Sequence, residues 1–148
     1  IFWKTKDLPN CTVVTGYELW LSDHLKKGSD IWLNNPRLYH EASGTSGMTA
    51  AMNGSVNLSI PDGWVPEFAK HGKNCFIIDT ADDNLTQESK DKIESHKLLD
   101  VLEKEIIPLY YDHPAKWQKI ITSSMKDVLP FFDSGRMSEE YYEKLYNS

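Results

Sequence analysis

One stretch of the sequence concentrates the carboxylate, hydroxyl groups and glycines that a binding site would use. It covers residues 34–37 and 41–48, between an apolar run and a helical pattern. In parallel α/β sheets, ligands bind beyond the carboxyl ends of the strands, where the next helix begins. Unpaired backbone N–H groups at such a helix start attract anions, and glycines let an anion approach closely. A loop of this composition at this place therefore suits a phosphate.

Glu41 introduces this stretch and suggests a second ligand group. A carboxylate beside neutral donors, rather than beside lysines, suits the hydroxyl groups of a sugar better than an anion. The alternative is that Ser43, Gly44 and Thr45 cap a helix while Glu41 lies in solvent, and the spacing leaves both interpretations open. The stretch matches neither the P-loop nor the dinucleotide-binding pattern.

Catalytic and metal-binding residues are not identified by the sequence. The five histidines show no metal-ligand spacing, so we expect no metal site. His40 adjoins Glu41, but nothing in the sequence orients it, and a surface role is favoured. We therefore assign no catalytic residue from the residue pattern.

The elements around this stretch alternate between strand and helix. The helical patterns in the first half cover residues 17–27 and 48–52. Between and around them lie four predicted strands, at residues 12–15, 30–33, 56–60 and 74–79. Strands separated by helices of this length indicate a parallel sheet with helices on its faces. Three or four strands are few for a complete doubly wound domain, so we expect the missing strands upstream.

The second half is predicted to be helical. A helical period covers residues 98–109, Pro114 begins another helix, and Ser138 is a candidate cap for a last one. Residues 79–97 are polar and are expected to form a loop or short surface helix. The predicted fold class is thus α/β, a partial Rossmann-like parallel sheet followed by C-terminal helices. Residues 1–80 form the α/β part and residues 81–148 the mostly helical part.

The composition disfavours two classes of function, nucleic-acid binding and membrane insertion. The formal net charge of -6 and the absence of a basic face disfavour binding to nucleic acid. No apolar run approaches the roughly 20 residues that span a bilayer, and no signal peptide is recognisable, so a cytoplasmic location is expected. The chain does not begin with Met, which suggests part of a longer protein.

The tryptophans and cysteines are assigned mainly to the core. Cys11 and Cys75 each adjoin a β-rich run and are expected to be reduced and buried. Four tryptophans are predicted to be core residues rather than surfaces that stack on a carbohydrate: Trp20, Trp32, Trp64 and Trp117. Trp64, in a loop after a strand, is the most plausible exception.

Taken together, these motifs resemble the α-glucan (glycogen and starch) phosphorylases. The resemblance covers nearly the whole chain and is densest over residues 12–68. It is carried by residues 30–37, 41–48, 50–54, 57–59 and 62–64, with further similarity at residues 136–146. The phosphorylase family would make this chain the distal part of the second Rossmann-like domain of a GT-B enzyme.

The resemblance also implies an activity and roles for particular residues. Family members cleave α-1,4-glucans with phosphate and release glucose 1-phosphate with retained configuration. By position, Glu41 and the backbone of Ser43 and Gly44 would hold hydroxyl groups of the glucosyl unit. Thr45, together with Gly44, would bind the 5′-phosphate of pyridoxal phosphate. The expected partners are an α-glucan, phosphate or a sugar phosphate, and the remainder of the same polypeptide, with no nucleic acid and no membrane.

One position departs from the family pattern. Family members carry the lysine that attaches pyridoxal phosphate directly after the Gly-Met pair, and here that residue is Thr49. Threonine has no amine and cannot form the covalent link. Three interpretations of this change stay open. The cofactor is bound without a covalent link, another phosphate or a nucleotide takes its place, or the protein is a degenerate paralogue. The rival functions are a retaining sugar-nucleotide glucosyltransferase, as in glycogen synthases, and a non-catalytic glucan-binding paralogue.

Overall fold

The computed structural model of the chain describes residues 2–40 and 44–147. In its first part the strands are β1 Ile31–Asn34, β2 Val56–Ser59 and β3 Phe76–Ile77. The helices of this part are α1 Phe2–Thr5, α2 Leu19–Gly28, α3 Ser46–Met52 and α4 Val65–Phe68. The second part contains α5 Gln87–Val101, α6 Ile107–Tyr111, α7 Pro114–Phe131 and α8 Ser134–Tyr141. Two π-helical segments, Leu102–Ile106 and Tyr142–Tyr146, follow α5 and α8.

The three strands form a parallel sheet in the order β1-β2-β3. In the register, Ile31 lies beside Val56 and Asn34 beside Ser59, while Leu58 lies beside Phe76. A backbone hydrogen bond continues the β1–β2 ladder past its carboxyl end, where the Ile60 N–H donates to the Asn34 carbonyl at 3.2 Å. The prediction of an α/β fold with a partial Rossmann-like parallel sheet and C-terminal helices is confirmed.

β2 is the central strand and is buried along its whole length. Successive side chains of a strand point to opposite faces of the sheet. Val56, Leu58 and Ile60 accordingly enter a core cluster with Trp117 and Ile120 of α7. Asn57 and Ser59 point the other way, and both are fully buried. The strand therefore presents an apolar face to the C-terminal helices and a polar face to the connection that carries the predicted site.

The strand predicted at residues 12–15 is absent, and that prediction is wrong for this chain. These residues have no regular secondary structure, and Val13 and Val14 are exposed. A strand forms by hydrogen bonding to a neighbouring strand, and no described strand pairs with this segment. The predicted burial of Trp20 is also wrong, since 63% of its surface is exposed.

The second half is more continuously helical than expected. α5 begins at Gln87, within the stretch predicted as a loop or short surface helix, and the Thr86 side chain accepts a hydrogen bond from Ser89 N–H at its start. The helix continues through the π-helical turn Leu102–Ile106 into α6. Pro108, near the start of α6, has no N–H to donate to the preceding turn, which accounts for the change of hydrogen-bond pattern there.

The last helix begins earlier than predicted. Asp133, not Ser138, caps α8, because its carboxylate accepts a hydrogen bond from the Arg136 N–H at 3.0 Å. Ser138 lies inside the helix. Asp and Ser are both good N-caps, so a cap residue chosen from sequence can be displaced by a few positions.

Asn74 and Asp127 connect the loop before β3 to α7. The fully buried Asn74 donates to the Phe68 carbonyl at 2.9 Å and to Asp127 Oδ2 at 2.7 Å. Lys70 adds an ion pair to the same oxygen at 3.1 Å. The Asn74 hydrogen bond, with a smaller contribution from Lys70, holds the pKa of the Asp127 carboxyl below its usual value. The ionised form of Asp127 therefore stabilises the folded chain.

This link predicts a specific loss of stability in acid. Because the pKa of Asp127 is lower in the folded than in the unfolded chain, its contribution is present above the unfolded value of about 3.9 and is lost as the pH falls through the folded value. Asp127→Asn removes this contribution, so we expect it to lower the urea midpoint at neutral pH and to have a smaller effect below about pH 4. Asp7→Asn, at an exposed turn residue, is the control. An equal effect of Asp127→Asn at both pH values would contradict the assignment.

Candidate functional site

The carboxyl edge of the sheet places polar groups from two strands together. Asn34 ends β1 and Ser59 ends β2, and the two residues are register partners. The Asn34 amide donates to Ser59 Oγ at 3.2 Å, and this hydroxyl donates to the Ile60 carbonyl at 2.8 Å. The predicted binding stretch leaves β1 at this edge.

Two of the predicted site residues lie outside the described part of the chain, namely Glu41 and Ser43. Gly44 and Thr45 are described, and both are exposed. A Cβ atom added to Gly44 would meet no atom within 4 Å. Thr45 is the N-cap residue of α3 in a helical backbone conformation, and its side chain makes no capping hydrogen bond. Within the part of the chain that the structure describes, the two residues are therefore exposed at the start of α3 and Thr45 does not use its hydroxyl as a cap.

α3 lies unusually close to the sheet because Gly47 has no side chain. A Cβ atom at Gly47 would lie 2.8 Å from Asn57 Oδ1 and 2.9 Å from Trp64 Cζ2. The Asn57 amide donates to the Gly47 carbonyl at 3.0 Å, which ties α3 to β2 inside the core. Trp64 is 5% exposed and stacks on Phe68, so the prediction that it is a core residue is confirmed and it is not the exception that stacks on a carbohydrate.

A fixed turn precedes the predicted sugar-binding residues. Arg37 donates through Nε and Nη2 to the two carboxylate oxygens of Asp91 on α5, at 3.2 and 2.7 Å. This pairing raises the pKa of Arg37, and it lowers the pKa of Asp91 together with a hydrogen bond from Gln87. The His40 N–H donates to the Arg37 carbonyl at 3.0 Å, and Tyr39 has a left-handed φ of 63°. Sequence reasoning missed the ion pair because its partners are separated by 54 positions.

His40 is exposed, as the sequence favours, and it lines a small crevice of about 140 Å³ between this turn and the residues after β3. Within this crevice Lys90 pairs with Asp83 at 3.0 Å, and the buried Glu94 accepts a hydrogen bond from the Ala81 N–H at 3.1 Å. The charged groups of the crevice that are named here are therefore already paired with other groups of the protein.

A larger cavity, of about 420 Å³, adjoins the start of α3. Its walls come from α2, β1, α3 and the segment before α2. The lining combines apolar and aromatic side chains with hydroxyl groups and one amine, from Val14, Tyr17, Leu21, Ser22, Leu25, Lys26, Trp32, Thr45 and Ser46. Cavities with apolar walls and a few convergent polar groups are the usual form of small-molecule sites.

Thr49 is bound into the helix that carries the site. Its hydroxyl donates to the Thr45 carbonyl at 3.1 Å, and its own carbonyl accepts a hydrogen bond from the Asn53 amide at 2.8 Å. The side chain at position 49 is therefore occupied by local helix contacts and supplies no nucleophilic nitrogen.

His71 is a second polar feature that sequence reasoning missed. The Ile77 N–H at the edge of β3 donates to His71 Nδ1 at 3.0 Å, which requires that nitrogen to be the acceptor. The neutral ring therefore carries its proton on Nε2 and donates to Glu105 at 2.8 Å. The imidazole covers an otherwise free donor of an edge strand, which is a structural role.

The remaining sequence expectations concern cysteines, metals and membranes. Cys75 is buried, and burial raises the pKa of its thiol to about 11, whereas Cys11 is exposed, so the expectation of two buried cysteines is half wrong. Over residues 2–40 and 44–147 no group of three or more His, Cys, Asp or Glu is arranged to hold a metal ion. In the same part of the chain, none of the helices is long and apolar enough to cross a membrane.

Comparison with known proteins relates this chain to longer polypeptides. No family model matches it. An uncharacterized protein of Methanocaldococcus jannaschii is 44% identical over 144 residues, which cover 97% of the chain and 26% of that protein. Maltodextrin phosphorylase of Thermococcus litoralis is 42% identical over 137 residues, or 91% of the chain and 16% of the enzyme. Glycogen phosphorylase of Aquifex aeolicus is 37% identical over 139 residues, or 90% of the chain and 20% of the enzyme. The chain thus spans a quarter or less of the length of these two named phosphorylases.

The close approach of α3 to the sheet predicts a strong effect of one added methyl group. Gly47→Ala should force α3 away from Asn57 and Trp64 and destabilise the chain by about 1–3 kcal/mol. Gly28→Ala, at the end of α2, is the control, because its Cβ would meet no atom within 4 Å. Urea unfolding of both variants measures the difference. Equal midpoints for the two would show that α3 is not held this tightly.

Proposed function

The chain belongs to the family of α-glucan phosphorylases, and on this premise we propose that the protein containing it cleaves α-1,4-glucans with phosphate and releases glucose 1-phosphate. The observation that carries the proposal is the 42% identity, over 91% of the chain, to a protein named maltodextrin phosphorylase. Glycosyl transfer is thus the reaction class that the family supports, and α-glucan and phosphate are the proposed substrates.

The proposal assigns roles to the stretch after β1. Glu41 accepts hydrogen bonds from hydroxyl groups of the glucosyl unit, and the backbone N–H groups of Ser43 and Gly44 donate to the same unit. Gly44 and Thr45 bind a phosphate group. The exposure of Gly44 and Thr45, and the absence of a capping bond from the Thr45 side chain, are consistent with these roles and support them. The residues that transfer the proton are not assigned.

Pyridoxal phosphate, which the phosphorylase family implies, fits this chain only in part. A hydroxyl committed to the helix stands at position 49, so the covalent attachment used by the family does not fit there. The cavity beside Thr45 and Ser46 supports a small phosphate ester held without a covalent link, because its lining includes two aromatic side chains, hydroxyl groups and one amine. When bound, the cofactor would supply a phosphate group able to exchange a proton. The chain's own residues would hold that phosphate through Gly44 and Thr45.

Thr49 is the observation that favours the rival from another class, a non-catalytic glucan-binding paralogue. The experiment that separates the candidates compares three readouts on the longest available form of the protein. Phosphorolysis of maltodextrin to glucose 1-phosphate supports the proposal. Incorporation of glucose from a sugar nucleotide supports the synthase-like rival, and glucan binding without either reaction supports the non-catalytic one.

The chain by itself is expected to be inactive. It spans at most about a quarter of its phosphorylase relatives, whose remaining length would contribute the opposite wall of an active site between two domains. The purified chain, incubated with maltodextrin and phosphate, should release no glucose 1-phosphate above a boiled control. Production of glucose 1-phosphate by the chain alone would overturn this expectation and place a complete site within it.

Glu41 should matter for turnover in the longer protein. Glu41→Gln removes the charge of a proposed sugar-binding group while keeping its volume, and a charge-assisted hydrogen bond contributes about 1.5–3 kcal/mol, so turnover should fall by on the order of ten- to a hundredfold. Glu139→Gln, at an exposed position of α8, is the control. Unchanged kinetics for Glu41→Gln in both reaction directions would remove Glu41 from the site.

A further inference from the structure

His71 lies between the outer edge of the sheet and the helical half of the chain. The Ile78 N–H, just after β3, donates to the Ser59 carbonyl of β2 at 2.9 Å. Neighbouring residues of a strand direct their N–H groups to opposite edges, so the Ile77 N–H points away from β2. It donates to His71 Nδ1 at 3.0 Å, and His71 Nε2 lies 2.8 Å from Glu105 Oε2 on the π-helical turn after α5. One imidazole therefore joins the edge strand to this turn.

The two contacts fix which nitrogen carries the proton of the neutral ring. A backbone N–H can only donate, so Nδ1 accepts from Ile77 with its lone pair, and the proton on Nε2 is donated to Glu105. A second proton can therefore bind only at Nδ1, which then becomes a donor itself. The proton and the Ile77 N–H thus compete for one lone pair. Protonation of His71 breaks the bond to β3, whereas the bond to Glu105 becomes charge-assisted.

Two other histidines with ring contacts have the opposite arrangement. His24 Nδ1 lies 2.7 Å from the Trp20 carbonyl, and His96 Nδ1 lies 2.6 Å from the Lys92 carbonyl. A carbonyl can only accept, so Nδ1 carries the proton in both residues, and a second proton binds at Nε2 without disturbing that bond. His71 differs from both because its contact with the backbone is lost on protonation.

The surroundings of the imidazole are mainly acidic. The charged groups that line the cavity of about 530 Å³ beside it belong to Asp79, Lys97, Asp100 and Glu105. Lys97 donates to the Thr80 carbonyl at 2.8 Å. Asp100 is paired with Lys104 at 2.8 Å. The basic neighbours on the loop of the histidine itself are Lys70 and Lys73. Glu105 is the carboxylate in direct contact with the ring, so an imidazolium stays beside it.

We propose that His71 is a pH-dependent link between β3 and the π-helical turn after α5. The neutral ring holds both elements, and the protonated ring releases the Ile77 N–H while it stays paired with Glu105. Histidine is the side chain whose ordinary change of charge falls between about pH 5 and 8. The His71 side chain is 42% exposed, so solvent supplies and removes the proton.

The release affects the residues that follow β3. This strand consists of two residues, Phe76–Ile77, so one lost contact at its edge is a large part of its support. The chain then continues to Thr80 and Ala81, which line the crevice beside His40. Mild acid therefore loosens the strand that leads into one wall of this crevice. The inference is independent of the proposed function, because it requires neither glucan nor phosphate.

The test follows the ring and the strand in one titration. Nuclear magnetic resonance of isotope-labelled protein gives the tautomer and protonation of His71 and the amide signal of Ile77. We expect a proton on Nε2 alone at about pH 8. As the pH is lowered, the Ile77 signal should move with the midpoint of His71. Its exchange with solvent, corrected for the intrinsic effect of pH, should become roughly three- to tenfold faster, as for the loss of one hydrogen bond.

Two substitutions separate the acceptor from the proton. In His71→Asn the amide oxygen takes the place of Nδ1 and does not titrate, so the Ile77 N–H should stay protected throughout the titration. In His71→Gln the longer side chain reaches toward Glu105 instead, so the Ile77 N–H should be unprotected throughout. His96→Asn is the matched control and should leave the pH dependence of Ile77 unchanged.

The unsubstituted protein alone is sufficient to refute the proposal, so the test does not depend on the folding of a variant. A neutral His71 ring with its proton on Nδ1 would refute it, as would an Ile77 signal that does not follow the His71 titration. A pH dependence of Ile77 that survives His71→Asn would assign the effect to another group and would also refute it.

Discussion

The parallel pairing of β1 with β2 determines where the proposed binding stretch lies. β1 ends at Asn34 beside Ser59, so the connection between the strands starts at the carboxyl edge of the sheet and has to return to its amino edge. α3 makes most of that return, and only three residues separate its end from β2. A helix of seven residues is about 10 Å long, so its first turn lies toward the carboxyl edge. Gly44 and Thr45 are thereby placed near the end of β1.

Core packing, rather than surface charge, holds this arrangement. The Asn57 amide bonds to the Gly47 carbonyl in the interior, and the missing side chain of Gly47 lets α3 approach β2 and Trp64. The Arg37–Asp91 pair has good bidentate geometry, but both side chains are largely exposed, and exposed ion pairs contribute little to stability. Its effect is better understood as orientation, because it fixes the direction in which the chain leaves the turn at residues 37–40.

Secondary-structure elements that pack against another part of this chain could be predicted from the sequence. The prediction was wrong for a segment that has no neighbouring strand in the structure. β2 and α7 have apolar patterns that are buried against each other, β1 pairs with β2, and all three were located correctly. Residues 12–15 have the same β-branched character, but no neighbouring described strand is present to accept hydrogen bonds from their N–H groups or donate to their C=O groups, so they do not form a strand.

The features of the candidate site also differ in how well the sequence predicted them, according to whether their signal is local or depends on a distant residue. Gly44 and Thr45 were located at a helix start because their types carry a local signal. The contacts of Arg37 with Asp91 and of His71 with Glu105 join residues 54 and 34 positions apart, and no local pattern reports such pairs. Trp64 was predicted to be a core residue, and the packing adds which space its ring fills, between α3 and α4.

Position 49 shows that a chain can belong to the family and still lack a reactive group that the family uses. Threonine is compatible with the helix, because its hydroxyl can bond to the carbonyl one turn earlier and its neighbours in α3 continue to pack on the sheet. The fold therefore imposes no requirement for an amine at this place, and similarity over nine-tenths of the chain is no guarantee of one. Function has to be argued from the groups that line a site. In this chain the cavity beside Thr45 is lined by hydroxyl-bearing and aromatic side chains and by one lysine, Lys26 of α2.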